Sequence, residues 1–216
     1  MSMKERIKRY VLCVVGLFIL SLGVACTKVG NLGVSPISSV ANVMSIGVPQ
    51  LTIGNWLIIT NLIMIGIQAC LLRKEFRLYQ LLQIPISLLF GYFTDFGVWL
   101  FSFITPTSYF MRILFSAVGD LILGFGIMVS VTANVIMNSG EATVLAITKV
   151  TNKEFSSVKI IFDLSCVALS VVLSLLFTGK IIGVREGTLL CACCTGLAVK
   201  LCSKLFRGKV EAFLKK

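Results

Sequence analysis

The amino-acid sequence predicts an all-α membrane protein with six transmembrane helices and two half (re-entrant) helices, arranged as a 3+3 inverted repeat. Three observations lead to this prediction. Hydrophobic residues make up 57% of the 216 residues and charged residues only 13%, a balance that suits lipid as the solvent. The chain has six long apolar runs, and two short ones that follow polar breaks. Its two halves also match each other at a nearly constant spacing of 103 residues.

The first repeat is predicted over residues 8–101. Its first span covers 11–27, a charge-free run that follows a basic segment. A Gly-rich polar break then leads into a short helix over 36–46, which cannot cross a bilayer. Two further spans follow at 53–72 and 78–101. The first repeat therefore consists of three spans and one half helix.

The second repeat is predicted over 111–203 with the same order of elements. A span over 113–137 precedes a short helix over 139–147, and spans over 156–177 and 184–202 complete the repeat. Because three spans per repeat is an odd number, the second repeat is predicted to lie inverted in the membrane relative to the first.

The repeat prediction depends on residues that match at one fixed spacing. Glycine, arginine and asparagine matches carry more weight than leucine matches, because apolar runs share leucine by chance. The matching pairs are Arg9 and Arg112, Gly16 and Gly119, Gly23 and Gly126, and Asn31 and Asn134. Asn61 pairs with Asp163 after a shift of one residue.

The distribution of basic residues predicts the orientation. With the N-terminus inside the cell, sixteen of the twenty basic residues fall in cytoplasmic segments. The remaining four are Lys28, Arg112, Lys180 and Arg185. This distribution follows the positive-inside rule and places both termini in the cytoplasm. It also accounts for the net charge of +11 without nucleic acid as a partner.

The two polar breaks, NLGVSPISSV at 31–40 and NVIMNSGEAT at 134–143, form the candidate binding site. Each opens a short helix whose first N–H groups lack partners within the helix, next to the positive end of the helix dipole. In transporters built from inverted repeats, such half helices begin at a solute site near the bilayer midplane. The residues predicted to bind substrate are Ser35, Pro36, Ser38, Asn138, Ser139, Gly140, Glu141 and Thr143. The alternative is that both stretches are aqueous loops with ordinary helix caps.

Polar side chains within the apolar runs are candidates for ion coupling or for a polar core. A charge at the bilayer centre costs about 2.5–3.5 kcal/mol on insertion scales, so it is usually retained for ion coupling, solute contact or a structural pair. The candidates are Asn61, Asp120, Asp163 and Glu186. Glu141, at the second break, suits both a site role and a helix-capping role.

Several function classes are disfavoured. The chain has no histidine, and the Walker A, GxSxG and HExxH patterns are missing. We therefore expect no enzyme activity, no cofactor and no metal. Two minor hypotheses stay open, an intramembrane protease built on Asp120 and Asp163, and a redox protein built on Cys191, Cys193 and Cys194. The cysteines are otherwise interpreted as small apolar packing residues.

Four segments carry a resemblance to a known family. They are GVSPISSV after the first span, IGNWLIITN in the second, QIPISLLFGYFTD in the third and REGTLL at the start of the sixth. Through these segments the chain resembles the YczE/YyaS/YitT family of bacterial integral membrane proteins over nearly its whole length. The resemblance implies a multi-span protein of the bacterial cytoplasmic membrane with a poorly defined activity. The family pattern at the second break is often Gly-Pro before an acidic residue, whereas this chain has NSGE at 138–141 and lacks the proline.

The sequence favours a transporter or permease-like protein for a small polar or charged solute, with proton or cation coupling through the carboxylates. The lipid bilayer and the solute are the expected partners. The helix starts favour an anionic or polar solute and the carboxylates favour a cation, so the charge of the solute stays open. The alternative is a non-transporting scaffold or regulator that docks through the basic tail 204–216, expected to be amphipathic. The small residues around Cys191 suit close helix packing, either within the chain or in a homodimer, and the sequence does not distinguish the two.

Overall fold

The computed structural model is built from helices. It describes residues 3–215, with the side chains of all of these except Lys4, Ser156, Leu189, Leu190, Cys193 and Lys215. The helices in this range are α1 (Met3–Gly30), α2 (Pro36–Gly47), α3 (Ile53–Leu72), α4 (Gln83–Leu100), α5 (Tyr109–Ala133), α6 (Ser139–Thr151), α7 (Phe155–Thr178) and α8 (Glu186–Lys215). Two short 3₁₀ turns, Arg73–Glu75 and Leu78–Leu82, connect α3 to α4.

Within the described residues, five segments are long and apolar enough to cross a membrane. They are Glu5–Gly30, Ile53–Glu75, Leu78–Leu100, Tyr109–Ala133 and Ser157–Thr178, and each overlaps one of the first five predicted spans. The predicted sixth span, in α8, is not among them. The helices α2 and α6 have 12 and 13 residues and are too short to cross. The chain thus has the character of a helical membrane protein.

The helices α1 and α5 form an antiparallel pair at the centre of the bundle. Gly16 lies against Gly126, and Gly23 lies against Gly119, so contacts move up one helix as they move down the other. A Cβ atom built on Gly23 would lie 2.5 Å from the backbone nitrogen of Leu123. The backbones can approach this closely only because these positions carry no side chain.

The other helices pack around this pair in a regular order. The helix α4 packs on α1, and α8 packs on α5. Of the two short helices, α2 lies against α7 and α3, and α6 lies against α3 and α7. The largest apolar core cluster joins α1 to its neighbours and includes Leu20, Ala41, Leu57, Phe90 and Leu123.

Asparagines terminate the two central helices. Asn31 follows α1 with a φ of 53°, and Asn134 follows α5 with a φ of 50°. Asparagine tolerates this left-handed conformation better than most residues and is a common helix terminator. As a result, α5 ends at Ala133 rather than at the predicted 137, and the apolar residues 135–137 lie outside the helix.

The basic tail is not a separate element. Residues 204–215 continue α8 without a break, so this helix has 30 residues. An ion pair between Arg207 and Glu211, at 2.8 Å, lies on its exposed surface. The tail is therefore part of α8, and its Phe206 packs edge-on against Phe125 of α5 with ring centroids 5.5 Å apart.

Candidate functional site

The starts of the two short helices lie side by side. Ile37 is the second residue of α2, and Gly140 is the second residue of α6. A Cβ atom built on Gly140 would lie 2.7 Å from Cδ1 of Ile37, so the isoleucine side chain occupies the space beside the glycine. The two polar breaks therefore meet at one place in the protein.

The helix α3 shows where along the bundle this junction lies. Asn61, near the middle of α3, accepts a hydrogen bond through Oδ1 from Oγ of Ser139 at 2.6 Å. The far end of α6 reaches the end of α3, where Lys149 pairs with Glu75. The helix α2 instead ends beside the start of α3, to which the short turn 48–52 connects it. Both short helices thus begin near mid-bundle and run toward opposite ends.

Polar side chains from α3 and α4 hold the first turn of α6. Nε2 of Gln68 donates to the carbonyl oxygen of Ser139 and to Oγ1 of Thr143, both at 3.1 Å. Gln68 also exchanges two hydrogen bonds with Gln83 of α4, at 3.2 and 3.0 Å. None of these four side chains is more than 3% exposed. A satisfied network of this kind fixes the position of the helix start.

A matching contact from α7 holds the first turn of α2. The hydroxyls of Ser39 and Ser170 are hydrogen-bonded at 2.7 Å, and Ser39 also donates to the carbonyl oxygen of Pro36 at 2.6 Å. Ahead of this turn, the hydroxyl of Ser35 donates to that of Ser38 at 3.2 Å. Each short helix is therefore anchored at its first turn by a long helix from the other half of the chain.

A buried polar atom at the junction lacks a hydrogen-bond partner. Among the described residues, Nδ2 of Asn61 has none, and Asn61 is 2% exposed. An unsatisfied buried polar group costs about 1–3 kcal/mol, so this atom requires an explanation. A bound polar molecule at the junction would supply the missing partner.

A cavity of about 620 Å³ reaches the start of α6 from one end of the bundle. Its wall includes residues 134–138 of the second break. Its charged and amide side chains are those of Glu75, Arg77, Gln80, Gln83, Asn134, Asn138, Glu141 and Lys149. Asn138 also caps α6, because its Oδ1 accepts from the backbone N–H of Ser139 at 3.0 Å. The cavity gives the start of α6 a polar route out of the bundle.

Three charged groups lie close together beside this cavity. Glu141 lines it in a half-buried position and interacts electrostatically with Lys159 and Asp163 of α7. Asp163 is paired with Lys159 one turn away, with Nζ to Oδ1 at 2.8 Å. The predicted polar-core residue Asp163 therefore has a cationic partner that the sequence analysis did not assign to it.

Two of the predicted polar residues lie elsewhere. Asp120 faces a second cavity between α5 and α8, where Oγ1 of Thr195 donates to its Oδ1 at 2.6 Å. Glu186 begins α8 on the exposed surface, within hydrogen-bond distance of Tyr109 at 3.3 Å and of Arg185 at 3.4 Å. Among the side chains that the structure describes, no group of three or more Cys, Asp or Glu is placed to hold a metal ion. The side chain of Cys193, part of the redox hypothesis, lies outside the described residues.

The structure gathers the predicted substrate-binding residues at one junction, together with Asn61. It gives Ser39 of the first break a partner on α7, and it adds residues that the sequence analysis did not place in the site, namely Gln68, Gln83, Lys159 and Ser170. A sequence signal existed for two of these positions. Gln68 is a polar residue inside an apolar run, and Lys159 stands four residues before Asp163 on one helix face.

The chain matches one family model and two curated bacterial proteins. A model of a family of unknown function, DUF6198, matches residues 7–204. The chain is 28% identical to the uncharacterized protein YyaS of Bacillus subtilis (strain 168) over 195 residues, 88% of this chain and 89% of YyaS. It is also 28% identical to the uncharacterized membrane protein YczE of the same organism over 204 residues, 91% of this chain and 86% of YczE. No solved structure matches the chain. The resemblance stated from the four sequence segments is thereby confirmed.

Proposed function

The chain belongs to the family of unknown function DUF6198, and we propose that it is a transporter or permease-like protein for a small polar solute. The observation that carries the proposal is the contact of Ile37 with Gly140, which joins two helix starts within a bundle of apolar helices. Irregular backbone at membrane depth is tolerated only where protein buries it or where it lines a water-filled cavity. Residues 32–34 of the first break are buried, and the second break lines the larger cavity.

The proposed architecture is a 3+3 inverted repeat, and reciprocal contacts support it. Gly16 and Gly23 of α1 match Gly119 and Gly126 of α5 in sequence, and the contacts are Gly16 with Gly126 and Gly23 with Gly119. In the same way, α2 lies on α7 while its counterpart α6 lies on α3. A two-fold axis produces such an exchange of partners, and in transporters of this kind the axis lies in the membrane plane.

In this proposal α8 is the sixth span, and both termini face the cytoplasm. The helix α8 packs on α5 in the way that its counterpart α4 packs on α1. The basic residues support the orientation, because sixteen of the twenty then lie in cytoplasmic segments.

Hydrogen-bond donors at the junction favour a solute that carries an acceptor oxygen or a negative charge. Pro36 at the start of α2 has no N–H, and the N–H of Ser139 at the start of α6 is capped by Asn138. The N–H groups of Ile37, Ser38 and Gly140 come next and have no partners within their own helices. The unpartnered Nδ2 of Asn61 adds a side-chain donor beside Ser139. We therefore place a small anion, or a neutral molecule with a carbonyl-type oxygen, between the two helix starts.

Glu141 is the proposed coupling group. Of the intramembrane carboxylates, Asp163 is held by Lys159 and Asp120 faces a different cavity, whereas Glu141 lines the cavity that leads to the junction. A proton on Glu141 removes a negative charge next to an anion site, so proton and anion favour each other's binding. This reciprocal coupling is what proton-linked uptake of an anion requires.

Reconstitution of the full chain in liposomes tests the proposal. Current and internal pH are recorded after concentration jumps of formate, acetate, nitrate or phosphate, with potassium and methylammonium as cationic comparisons. We expect a saturable response to at least one anion, a loss of that response in Asn61→Ala, and its retention in the matched variant Asn55→Ala nearer the start of α3. In Glu141→Gln the anion response is expected to become independent of the proton gradient. A protein that inserts and folds but gives no response, or an Asn61→Ala response equal to the wild type, would contradict the proposal.

The alternative function, a non-transporting scaffold or regulator, is favoured by the exposed basic end of α8. The side chains of Lys204, Arg207 and Lys209 are exposed on this helix, while Phe206 between them packs on Phe125 of α5. A scaffold would retain its activity in cells when Asn61 is replaced and would lose it when these three basic residues are replaced by glutamine. The transporter proposal requires the opposite outcome.

A further inference from the structure

The second cavity lies between α5 and α8 and has a volume of about 480 Å³. Its walls are almost entirely apolar, and they include the small residues Ala117, Gly187, Cys191, Cys194 and Ala198. These positions explain why the start of α8 is rich in small side chains, because each of them leaves room in the cavity. A volume of this size is typical of a pocket for a small molecule.

One carboxylate lies in this apolar wall. Asp120 is 5% exposed, and its Oδ1 accepts a hydrogen bond from Oγ1 of Thr195 at 2.6 Å. None of the residues that line the cavity is basic. The ion pairs found among the described residues also do not include Asp120. A carboxylate in apolar surroundings without a cation is costly, which is why such groups usually serve a ligand or a structural pair.

The corresponding place in the first half is filled. The sequence match of Asp120 is Leu17, which is buried in the core cluster. Between α1 and α4, Phe18 packs edge-on against Phe93 with ring centroids 5.2 Å apart. The space between α5 and α8 is therefore a difference between the two halves and not a consequence of the helix arrangement that they share.

The cavity opens toward the side of the bundle. Ile113, Leu121, Leu197 and Leu201 line it and are 40–67% exposed, so its rim is apolar. Asp120 is near the middle of α5, about 17 Å from the start of the helix at 1.5 Å per residue. This depth exceeds the reach of a phospholipid headgroup anchored at the interface. An occupant must therefore carry its cation on a mobile apolar body.

We propose that the cavity between α5 and α8 binds a lipophilic amine from the bilayer, with its ammonium group on the carboxylate of Asp120 and its alkyl body against the apolar wall. Charge complementarity selects the ammonium, and the wall selects the alkyl chain. The site is separate from the junction of α2 and α6, so this proposal does not depend on the proposed transport function. A second copy of this chain is a less suitable occupant, because a two-fold contact here would bring two unpaired carboxylates into the same interface.

The test uses the full chain in phosphatidylcholine nanodiscs with three probes of equal length, dodecylamine, dodecanol and dodecanoate. Native mass spectrometry counts bound probe, and thermal unfolding reports stabilisation. We expect one saturable dodecylamine per chain with a raised Tm, and neither effect with the alcohol or the acid. Asp120→Asn should weaken dodecylamine binding at least about tenfold, while Asp95→Asn, a carboxylate variant on α4, should leave it unchanged.

A second variant keeps the test decisive if Asp120→Asn does not fold. Cys194→Phe retains the carboxylate and narrows the cavity, so it should also abolish dodecylamine binding. Equal binding of dodecanol and dodecylamine, unchanged binding in both variants, or a dimer that buries this face would overturn the proposal.

Discussion

Ile37 of α2 packs directly against Gly140 of α6, and these two residues occupy equivalent positions in the two halves of the chain. The contact joins two helix starts that are far apart in sequence. It also places the hydrogen bond between Asn61 and Ser139 beside the anchor of α2 on Ser170. The proposed solute site depends on this contact, because without it the two positive helix ends would not act on the same molecule.

A side chain at position 140 is expected to disturb the junction moderately. In Gly140→Ala the new Cβ would lie 2.7 Å from Cδ1 of Ile37, which is the flexible end of that side chain. We expect a loss of about 1 kcal/mol in the free energy of unfolding, and a partial recovery in the double variant with Ile37→Ala. Gly66→Ala is the matched control, because nothing lies within 4 Å of a Cβ at that position of α3. Thermal unfolding in detergent measures the difference, and a Gly140→Ala variant as stable as Gly66→Ala would argue against the contact.

A side chain at position 23 is expected to do more damage. In Gly23→Ala the Cβ would meet backbone atoms of Leu123, at 2.5 and 2.7 Å, and backbone cannot move aside without separating α1 from α5. We expect a loss of about 2 kcal/mol or more, against little change or a slight gain in Gly196→Ala, where the space around the Cβ is open. The same unfolding measurement compares the two variants. Equal stability would show that the close pairing of α1 and α5 is wrong.

Removal of the cation beside Asp163 should destabilise the protein. Lys159→Met leaves a carboxylate on α7 without its partner at 2.8 Å, and the two side chains are only 28% and 16% exposed. Because the pair is partly exposed, we expect a cost of about 1–3 kcal/mol, below that for a fully buried pair. The double variant Lys159→Met, Asp163→Asn should recover most of the loss. Chemical unfolding of the wild type, the single variants Lys159→Met and Asp163→Asn, and the double variant gives the coupling energy, and a coupling near zero would show that the pair does not stabilise the protein.

Much of the fold could be predicted from the sequence, because long apolar runs and matched glycines are strong local signals. The match of Gly23 with Gly126 predicted a repeat, but not that these glycines lie in the interface between α1 and α5. The end of α5 was misplaced because 135–137 are apolar, and hydropathy does not register the left-handed conformation of Asn134. The matched asparagines Asn31 and Asn134 were the sequence signal for this helix end, because asparagine is a common helix terminator.

The candidate site could be predicted from the sequence only in part. The residues of the two breaks were predicted from their own polarity, whereas Gln68 and Ser170 act through contacts with residues more than seventy positions away. No local pattern reports such a contact. For Asp120 the sequence predicted too much. Its position within an apolar run suggested a coupling role at the same site as Glu141, but the packing of α8 on α5 places it in another cavity.

The number of spans can be decided at the end of α8. A reporter fused after Lys216 faces the cytoplasm if α8 crosses the membrane, and the outside if only the five apolar segments cross. We expect that green fluorescent protein fused at this end is fluorescent and that alkaline phosphatase fused there is inactive, because both reporters would be in the cytoplasm. Fusions in the loop after α4 (101–108) are the control and should give the reverse result. Active phosphatase at the C-terminus would rule out the six-span topology.

The most direct test of the proposed site is a reversible link between α2 and α6. Cγ1 and Cγ2 of Ile37 lie 3.7 and 3.3 Å from a Cβ built on Gly140, a separation that suits a disulfide between Ile37→Cys and Gly140→Cys. A protease site placed in the loop 101–108 lets non-reducing gels show whether the two halves are joined. After oxidation in liposomes, we expect a link within one chain and a loss of anion flux, and reduction should restore the flux. A link that forms while flux continues unchanged would contradict a solute path between the two helix starts, and failure of the link to form would contradict the contact itself.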